Sequence, residues 1–113
     1  MHVIHHATLP RHAEGGCSVQ TVADASMCAV PLRVQTLVVE PGSATEPLTA
    51  APARVVIAIA GCGKLVLDSG PERFHAPCTL VVPAGSAHRI VNHGATPLEL
   101  VCVQATGPGM ERP

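Results

Sequence analysis

The regular spacing of turn-forming residues is the feature that most limits the folds open to this chain. Ten glycines and 11 prolines divide its 113 residues into short segments rich in valine and leucine. No segment longer than about ten residues keeps the 3.6-residue apolar period of a helix. Short apolar segments separated by turn residues at this spacing are typical of a β-sandwich or barrel. The sequence therefore predicts an all-β fold, a small barrel or jelly roll with little helix.

Eight segments carry the valine-rich pattern of a β-strand. They cover residues 18–24, 32–40, 54–61, 64–68, 72–76, 79–83, 88–92 and 98–104. The sequence "DSGP" between two of them is typical of a hairpin turn. A chain of this length supports one modest core. We expect a single domain over 1–113, with an N-terminal arm of strands over 1–31 and a barrel core over 32–106.

Charge and composition exclude several classes of partner. The formal net charge is -1, so no basic surface is available for nucleic acid or for an anionic membrane. The longest apolar run, 55–60, is too short to cross a bilayer. The histidine-rich N-terminus lacks the pattern of a secretory signal, so the expected location is the cytoplasm. Phe74 is the single aromatic residue, and a pocket here lacks the rings that commonly hold planar ligands.

The cysteines do not form a recognisable framework. The chain has five cysteines and no C-x-x-C pair, which favours neither a disulfide scaffold nor a structural zinc site. Cys78 and Cys102 lie in apolar runs and are predicted to be small buried residues. Cys62 lies between two glycines in "GCGK" and is predicted at a turn.

The segment 54–61, "RVVIAIAG", is apolar on both faces of the expected strand, apart from Arg54. A strand of this kind needs cover on both sides. In a barrel this small, the core covers one side and a neighbouring chain is needed for the other. We therefore expect a homodimer that forms through an apolar sheet face.

The segment "PAGSAHRIVN" resembles the second conserved motif of the cupin superfamily, G-x5-P-x-G-x2-H-x3-N. The matching residues are Pro83, Gly85, His88 and Asn92, while Pro77 stands where the motif begins with glycine. The first cupin motif, G-x5-H-x-H-x3,4-E-x6-G, fits "GSATEPLTAAPARVVIAIAG" only in its spacing, with its outer glycines at positions 42 and 61. The resemblance covers about residues 32–104. It implies a compact, single-domain cupin barrel, a small double-stranded β-helix.

The resemblance also implies a metal site, and the residues depart from the family pattern there. The two motif-one histidines of the family map to Leu48 and Ala50, and its glutamate maps to Arg54. His88 is the only family ligand retained. Divalent metals in proteins normally need three or more protein ligands, and the permanent positive charge of Arg54 repels a metal ion. We therefore expect no metal cofactor.

Two alternative metal sites remain open. A divalent metal could be held in the barrel by an unconventional set of His75, His93 and Cys102 with His88. The N-terminal histidines could take up nickel or zinc adventitiously, since they are closely spaced. These are His2, His5, His6 and His12.

In the cupin alignment the altered positions face the barrel interior. The expected pocket is lined by His88, Arg54, Leu48 and Ala50, with His75 near its mouth. A buried guanidinium needs an anionic partner, from either a bound ligand or a carboxylate of the chain. The acidic candidates are Glu40, Glu46, Glu72 and Glu99. We expect a small organic anion to bind here, with Arg54 as a bidentate donor and His88 as the second donor.

Other interpretations of this pocket remain open. Arg54 could extend to solvent at its strand end, with His88 bound to a backbone group. A cupin enzyme is a further alternative, either a metal-dependent dioxygenase or a metal-free isomerase or epimerase that uses His88 as a general acid and base. A sensor module that binds a small effector is a third class.

Overall fold

The fold is known from a computed structural model that describes residues 3–28, 31–48 and 52–106. In this part of the chain, nine β-strands account for most of the regular structure. They are β1 (His12–Glu14), β2 (Cys17–Ala23), β3 (Leu32–Val39), β4 (Arg54–Ala60), β5 (Cys62–Leu67), β6 (Gly70–His75), β7 (Cys78–Val82), β8 (His88–Val91) and β9 (Leu98–Ala105). A short 3-10 helix (His6–Thr8) and a single-turn helix, α1 (Ala25–Cys28), complete the elements.

The all-β prediction is confirmed, and each of the eight predicted strands is present with both ends within about two residues of the prediction. The turn "DSGP" joins β5 to β6, which pair as an antiparallel hairpin. The short elements were not predicted. β1, the 3-10 helix and α1 have three or four residues each, and such lengths show no periodicity.

The strands form two antiparallel sheets. The larger sheet has the order β1-β2-β3-β9-β4-β7, and the smaller one has the order β6-β5-β8. Segment 43–48 extends the smaller sheet, because Ala44 pairs with Val91 and Leu48 pairs with His88. β9 lies between β3 and β4, so the last strand is at the centre of the larger sheet. This is the jelly roll that the sequence predicts.

Strand alternation determines which side chains enter the space between the sheets. On β4, Val56 and Ala58 are fully buried, whereas Val55, Ile57 and Ile59 are 37%, 38% and 56% exposed. The inward side chains of both sheets form one apolar core. Its members are Cys17, Leu37, Val39, Val56, Ala58, Leu65, Phe74, Val82, Ile90, Leu98, Leu100 and Cys102. Cys102 is buried as predicted, and Cys78 is half-buried at the margin of the core.

Asn92, the last residue of the cupin-like motif, joins three parts of the chain. Its side-chain amide donates to the carbonyl oxygens of Val39 at 2.8 Å and of Thr96 at 2.9 Å. Its Oδ1 accepts a hydrogen bond from the backbone N–H of Gly94 at 2.9 Å. The side chain is fully buried, and each polar atom has a partner, so this residue stabilises the fold.

Glycine is required at two of the turns. Gly85, in the Pro-x-Gly turn before β8, has φ 80°, a left-handed conformation that side chains rarely adopt. Gly61, between β4 and β5, has φ 94°, and a Cβ at this position would lie 2.7 Å from the carbonyl oxygen of Pro97. The first turn needs a glycine for its backbone conformation, and the second also needs one for space.

Candidate functional site

A cavity of about 540 Å³ opens between the larger sheet and segment 43–48. This volume is in the range of small-molecule binding sites. The lining combines charged, amide and apolar side chains. It comprises Glu14, Val19, Arg33, Gln35, Leu37, Thr45, Glu46, Leu48, Pro52, Arg54 and Gln104.

Three polar side chains form a row across one end of this cavity. Gln104 on β9 pairs with Arg33 on β3 and, on its other side, with Arg54 on β4. Residues paired across antiparallel strands project from the same face of a sheet. We call Arg33, Gln104 and Arg54 the arginine row. It brings two guanidinium groups and one amide to the same cavity.

Arg54 is buried without an anionic partner among its hydrogen bonds. It is 7% exposed, its Nη1 lies 2.8 Å from Nε2 of His88, and its Nη2 donates to the sulfur of Cys102 at 3.3 Å. Burial raises the pKa of the Cys102 thiol, and the nearby charge of Arg54 offsets this only in part. The thiol therefore stays protonated near neutral pH. Within the described residues, Nε of Arg54 has no hydrogen-bond partner.

The hydrogen bonds of His88 fix its tautomer. Nδ1 lies 3.0 Å from the carbonyl oxygen of Ser86, which can only accept, so Nδ1 carries the hydrogen. Nε2 faces Arg54, whose guanidinium can only donate, so Nε2 is the acceptor. Both ring nitrogens are thus engaged within the protein. His88 holds Arg54 in place, which differs from the predicted role of second donor to a bound anion.

The same geometry does not fit the metal that the cupin resemblance implies. Nε2 of His88 is the ring nitrogen left to bind a metal, and it accepts the hydrogen bond from the positively charged Arg54. Leu48, at a family ligand position, offers only an aliphatic side chain. In residues 3–28, 31–48 and 52–106, no three His, Cys, Asp or Glu side chains are grouped as metal ligands. We derive no chemistry from a metal at this site.

The other predicted site residues lie in different places. Leu48 lines the large cavity and also a smaller one of about 150 Å³ that includes His88. Ala50 lies outside the described residues. His75, which we expected near the pocket mouth, is exposed at the end of β6 and lines neither cavity, because its side chain alternates outward from the buried Phe74. His93 is exposed as well.

The N-terminal histidines are apart from the barrel cavity. His5, His6 and His12 are exposed, and His2 lies outside the described residues. The backbone of this segment packs on its own chain, since Nε2 of Gln20 donates to the carbonyl oxygen of His6 at 2.8 Å.

Arg33, like Gln104 and Glu14, lines the cavity but was not identified from the sequence. Its Nε is buried and, like that of Arg54, has no hydrogen-bond partner in the described residues. The available signal was an arginine inside the otherwise apolar strand "LRVQTLVVE". Its position opposite Gln104 depends on the β3–β9 pairing, which no local pattern reveals.

Two carboxylates lie at the other end of the cavity. Glu14 on β1 and Glu46 on segment 43–48 both line it, and we call them the acidic end. Burial raises the pKa of the nearby Cys17 thiol, and the negative charges of both glutamates raise it further. All four acidic candidates from the sequence are exposed, and of these Glu46 lines the cavity, whereas Glu40, Glu72 and Glu99 do not.

The sequence and the fold define the class of protein. The family model described as a cupin domain matches residues 35–104, more than half of the chain, and the chain belongs to the cupin family. Among curated proteins, no match is found.

Solved structures agree with this assignment of the fold. The chain is similar to the polyketide cyclase RemF from Streptomyces resistomycificus, with a TM-score of 0.84 and 18% identity over 95% of this chain and 80% of that one. It is also similar to a Cupin 2 conserved barrel domain protein from Salinispora arenicola, with a TM-score of 0.77 and 22% identity over 98% and 91% of the two chains. A predicted oxalate decarboxylase from Thermotoga maritima gives a TM-score of 0.82 and 16% identity over 94% and 100%. At these identities the similarity shows the fold alone.

The residues that the structure describes contain no helix long and apolar enough to cross a membrane. The larger sheet instead presents an apolar outer face on β4 and β7. Val55, Ile57 and Ile59 are exposed there, and Val81, which pairs with Val55, is 72% exposed. This is the face that the sequence predicts as a dimer contact.

Proposed function

We propose that this cupin binds a small organic carboxylate in the cavity, at the arginine row. The observation that carries the proposal is the environment of Arg54, a permanent charge that is almost fully buried beside a neutral imidazole and a neutral thiol. Removing an ion from water costs several kcal/mol unless an opposite charge compensates. A carboxylate bound in the adjoining cavity supplies that charge.

The proposed roles follow from the contacts of each residue. Arg54 and Arg33 provide charged donors and Gln104 provides a neutral one between them. A guanidinium and a carboxylate match in shape and can share two hydrogen bonds. His88 is a positioning residue, since its Nε2 accepts from Arg54 at 2.8 Å and restricts the guanidinium to one orientation.

Catalysis by His88 as a general acid and base has less support. Such a role needs a ring nitrogen within hydrogen-bond reach of the substrate, and both nitrogens are bonded to other groups of the protein. We therefore propose a binding protein. We also propose that it works in the cytoplasm as a homodimer.

Isothermal titration calorimetry with hexanoate tests the proposal, using wild type, Arg54→Met and Arg73→Met. Arg73 is an exposed arginine of β6 outside the large cavity and serves as the matched control. Loss of a charged hydrogen-bond partner costs about 2 kcal/mol, so we expect Arg54→Met to weaken binding about 30-fold. Arg73→Met should bind as wild type does. Equal binding by the Arg54 variant, or no binding of hexanoate by wild type, overturns the proposal.

A further inference from the structure

The strand register arranges the cavity lining by charge along the strands. The arginine row crosses β3, β9 and β4 at one end. Further along β3, Leu37 pairs with Val19 of β2, which gives an apolar row. Beyond it, Val39 pairs with Cys17, and Cys17 pairs with Glu14. The cavity therefore has a positive end and an acidic end, and between them Gln35 is followed by the apolar side chains of Leu37 and Val19.

The distance between the ends follows from strand geometry. Arg33 at the positive end and Val39, which pairs with Cys17 at the acidic end, are six residues apart on β3, which corresponds to about 20 Å between their backbones. The arginine and glutamate side chains can extend across part of this distance. Leu48 adds a second apolar side chain to the lining. At the acidic end, the Cys17 thiol donates to the carbonyl oxygen of Ala44 at 3.3 Å, which ties the segment that carries Glu46 to β2.

The charges of the lining balance before any ligand binds. Two arginines and two glutamates line the cavity, so a ligand with one charge of each sign preserves the balance. A dicarboxylate instead brings its second negative charge towards Glu14 and Glu46. A carboxylate of the protein can only accept hydrogen bonds, and an ammonium group can only donate them, so the acidic end is chemically matched to an amino group.

We propose that the ligand is a small aliphatic zwitterion, whose carboxylate binds the arginine row and whose amino group binds Glu14 and Glu46 across the apolar row. This inference rests on the proposed function for its carboxylate end. The two glutamates of the acidic end are not by themselves sufficient evidence for a zwitterionic ligand. The second observation is Arg54, which is 7% exposed and whose Nε has no hydrogen-bond partner in the described residues, so that a buried donor beside the cavity is available to a ligand.

The test compares three six-carbon probes by isothermal titration calorimetry. Hexanoate has one carboxylate, 6-aminohexanoate adds an amino group at the far end, and adipate adds a second carboxylate there. Exposed ion pairs contribute up to about 1 kcal/mol each. We therefore expect wild type to bind 6-aminohexanoate about fivefold more tightly than hexanoate, and adipate more weakly than hexanoate.

Variants of the acidic end show whether the amino group is recognised there. In the Glu14→Gln/Glu46→Gln double variant, the fivefold preference should disappear while hexanoate affinity is retained or increased. Glu72→Gln, an exposed glutamate of β6 outside the cavity, should keep the preference. Thermal melting of each variant without ligand verifies that it is folded.

The outcomes separate this inference from the proposed function. If hexanoate binds and the amino group adds nothing, or if adipate binds most tightly, the zwitterion is wrong and carboxylate binding stands. If the preference survives in the double variant, the assignment to Glu14 and Glu46 is overturned. If wild type does not bind hexanoate, both proposals fail.

Discussion

At the scale of a single residue, the proposed binding role of Arg54 predicts a conflict with stability. The side chain donates to His88 and Cys102, yet neither partner offers the negative charge that a buried guanidinium needs. Removing a buried charge that has no counter-ion removes a desolvation cost of several kcal/mol. If Arg54 served the structure alone, its replacement should instead lower the free energy of unfolding.

Arg54→Met should therefore change the free energy of unfolding by less than about 1 kcal/mol, because the desolvation cost that it removes offsets the cost of leaving Nε2 of the buried His88 without its donor. Urea denaturation at neutral pH without ligand measures this change. The control, Arg73→Met, should stay within about 0.5 kcal/mol of wild type, as surface substitutions usually do. A loss of more than about 2 kcal/mol in the Arg54 variant would show that the guanidinium holds the barrel together.

Only some residues of the candidate site could be identified from the sequence, and the reason is physical. Arg54 and His88 were identified because the cupin motifs fix their spacing along the chain. Arg33 and Gln104 were not, since they join Arg54 only through the pairing of β3, β9 and β4. The role of His88 was also not predictable, because its hydrogen bond to the carbonyl oxygen of Ser86 makes Nε2 an acceptor, and sequence spacing does not specify this bond.

At the scale of elements, the strands were largely predictable because each apolar run ends at a glycine or proline. β4 and β9 follow their predicted bounds within a residue, whereas β1 has only three residues and gave no pattern. Which strands pair with each other was not predictable from the local sequence pattern. The turn between β4 and β5 shows how closely the chain packs once the strands have paired. Gly61 in this turn lies against Pro97 and Leu98.

Gly61→Ala should destabilise the fold by about 3 kcal/mol, because it combines a left-handed backbone with a Cβ 2.7 Å from a carbonyl oxygen. Gly42→Ala is the matched control. Gly42 has φ 80° but no atom within 4 Å of the added Cβ, so we expect a loss of only about 1 kcal/mol. Urea denaturation of both variants gives the comparison. Equal losses would mean that backbone strain, and not the contact with Pro97, sets the effect.

At the scale of the whole molecule, the unusual feature is the apolar outer face of the larger sheet. Val55 and Val81 are paired on it, next to Ile57 and Ile59. Such a face on a chain with little net charge favours association with an identical face. A homodimer covers it with the second copy.

Size-exclusion chromatography with light scattering should give wild type twice the monomer mass. Val81→Lys places a charge on this apolar face and should shift the protein to the monomer. Glu72→Lys changes the charge on β6, in the smaller sheet, and should remain dimeric. A monomeric wild type at micromolar concentration would contradict the prediction, as would a dimer that persists in Val81→Lys with circular dichroism unchanged.

The central position of β9 has a consequence for biosynthesis. Gln104 and Cys102 are contributed by a strand that leaves the ribosome after all the strands beside which it inserts. Until residues 98–105 emerge, β3 and β4 have no common neighbour, and a nascent chain holds two incomplete halves of the sheet with unpaired edges. Such edges are prone to aggregate. The proposed carboxylate site therefore lacks Gln104 until the last strand has been synthesised, and chains terminated before residue 98 should be cleared by proteolysis or found in inclusion bodies.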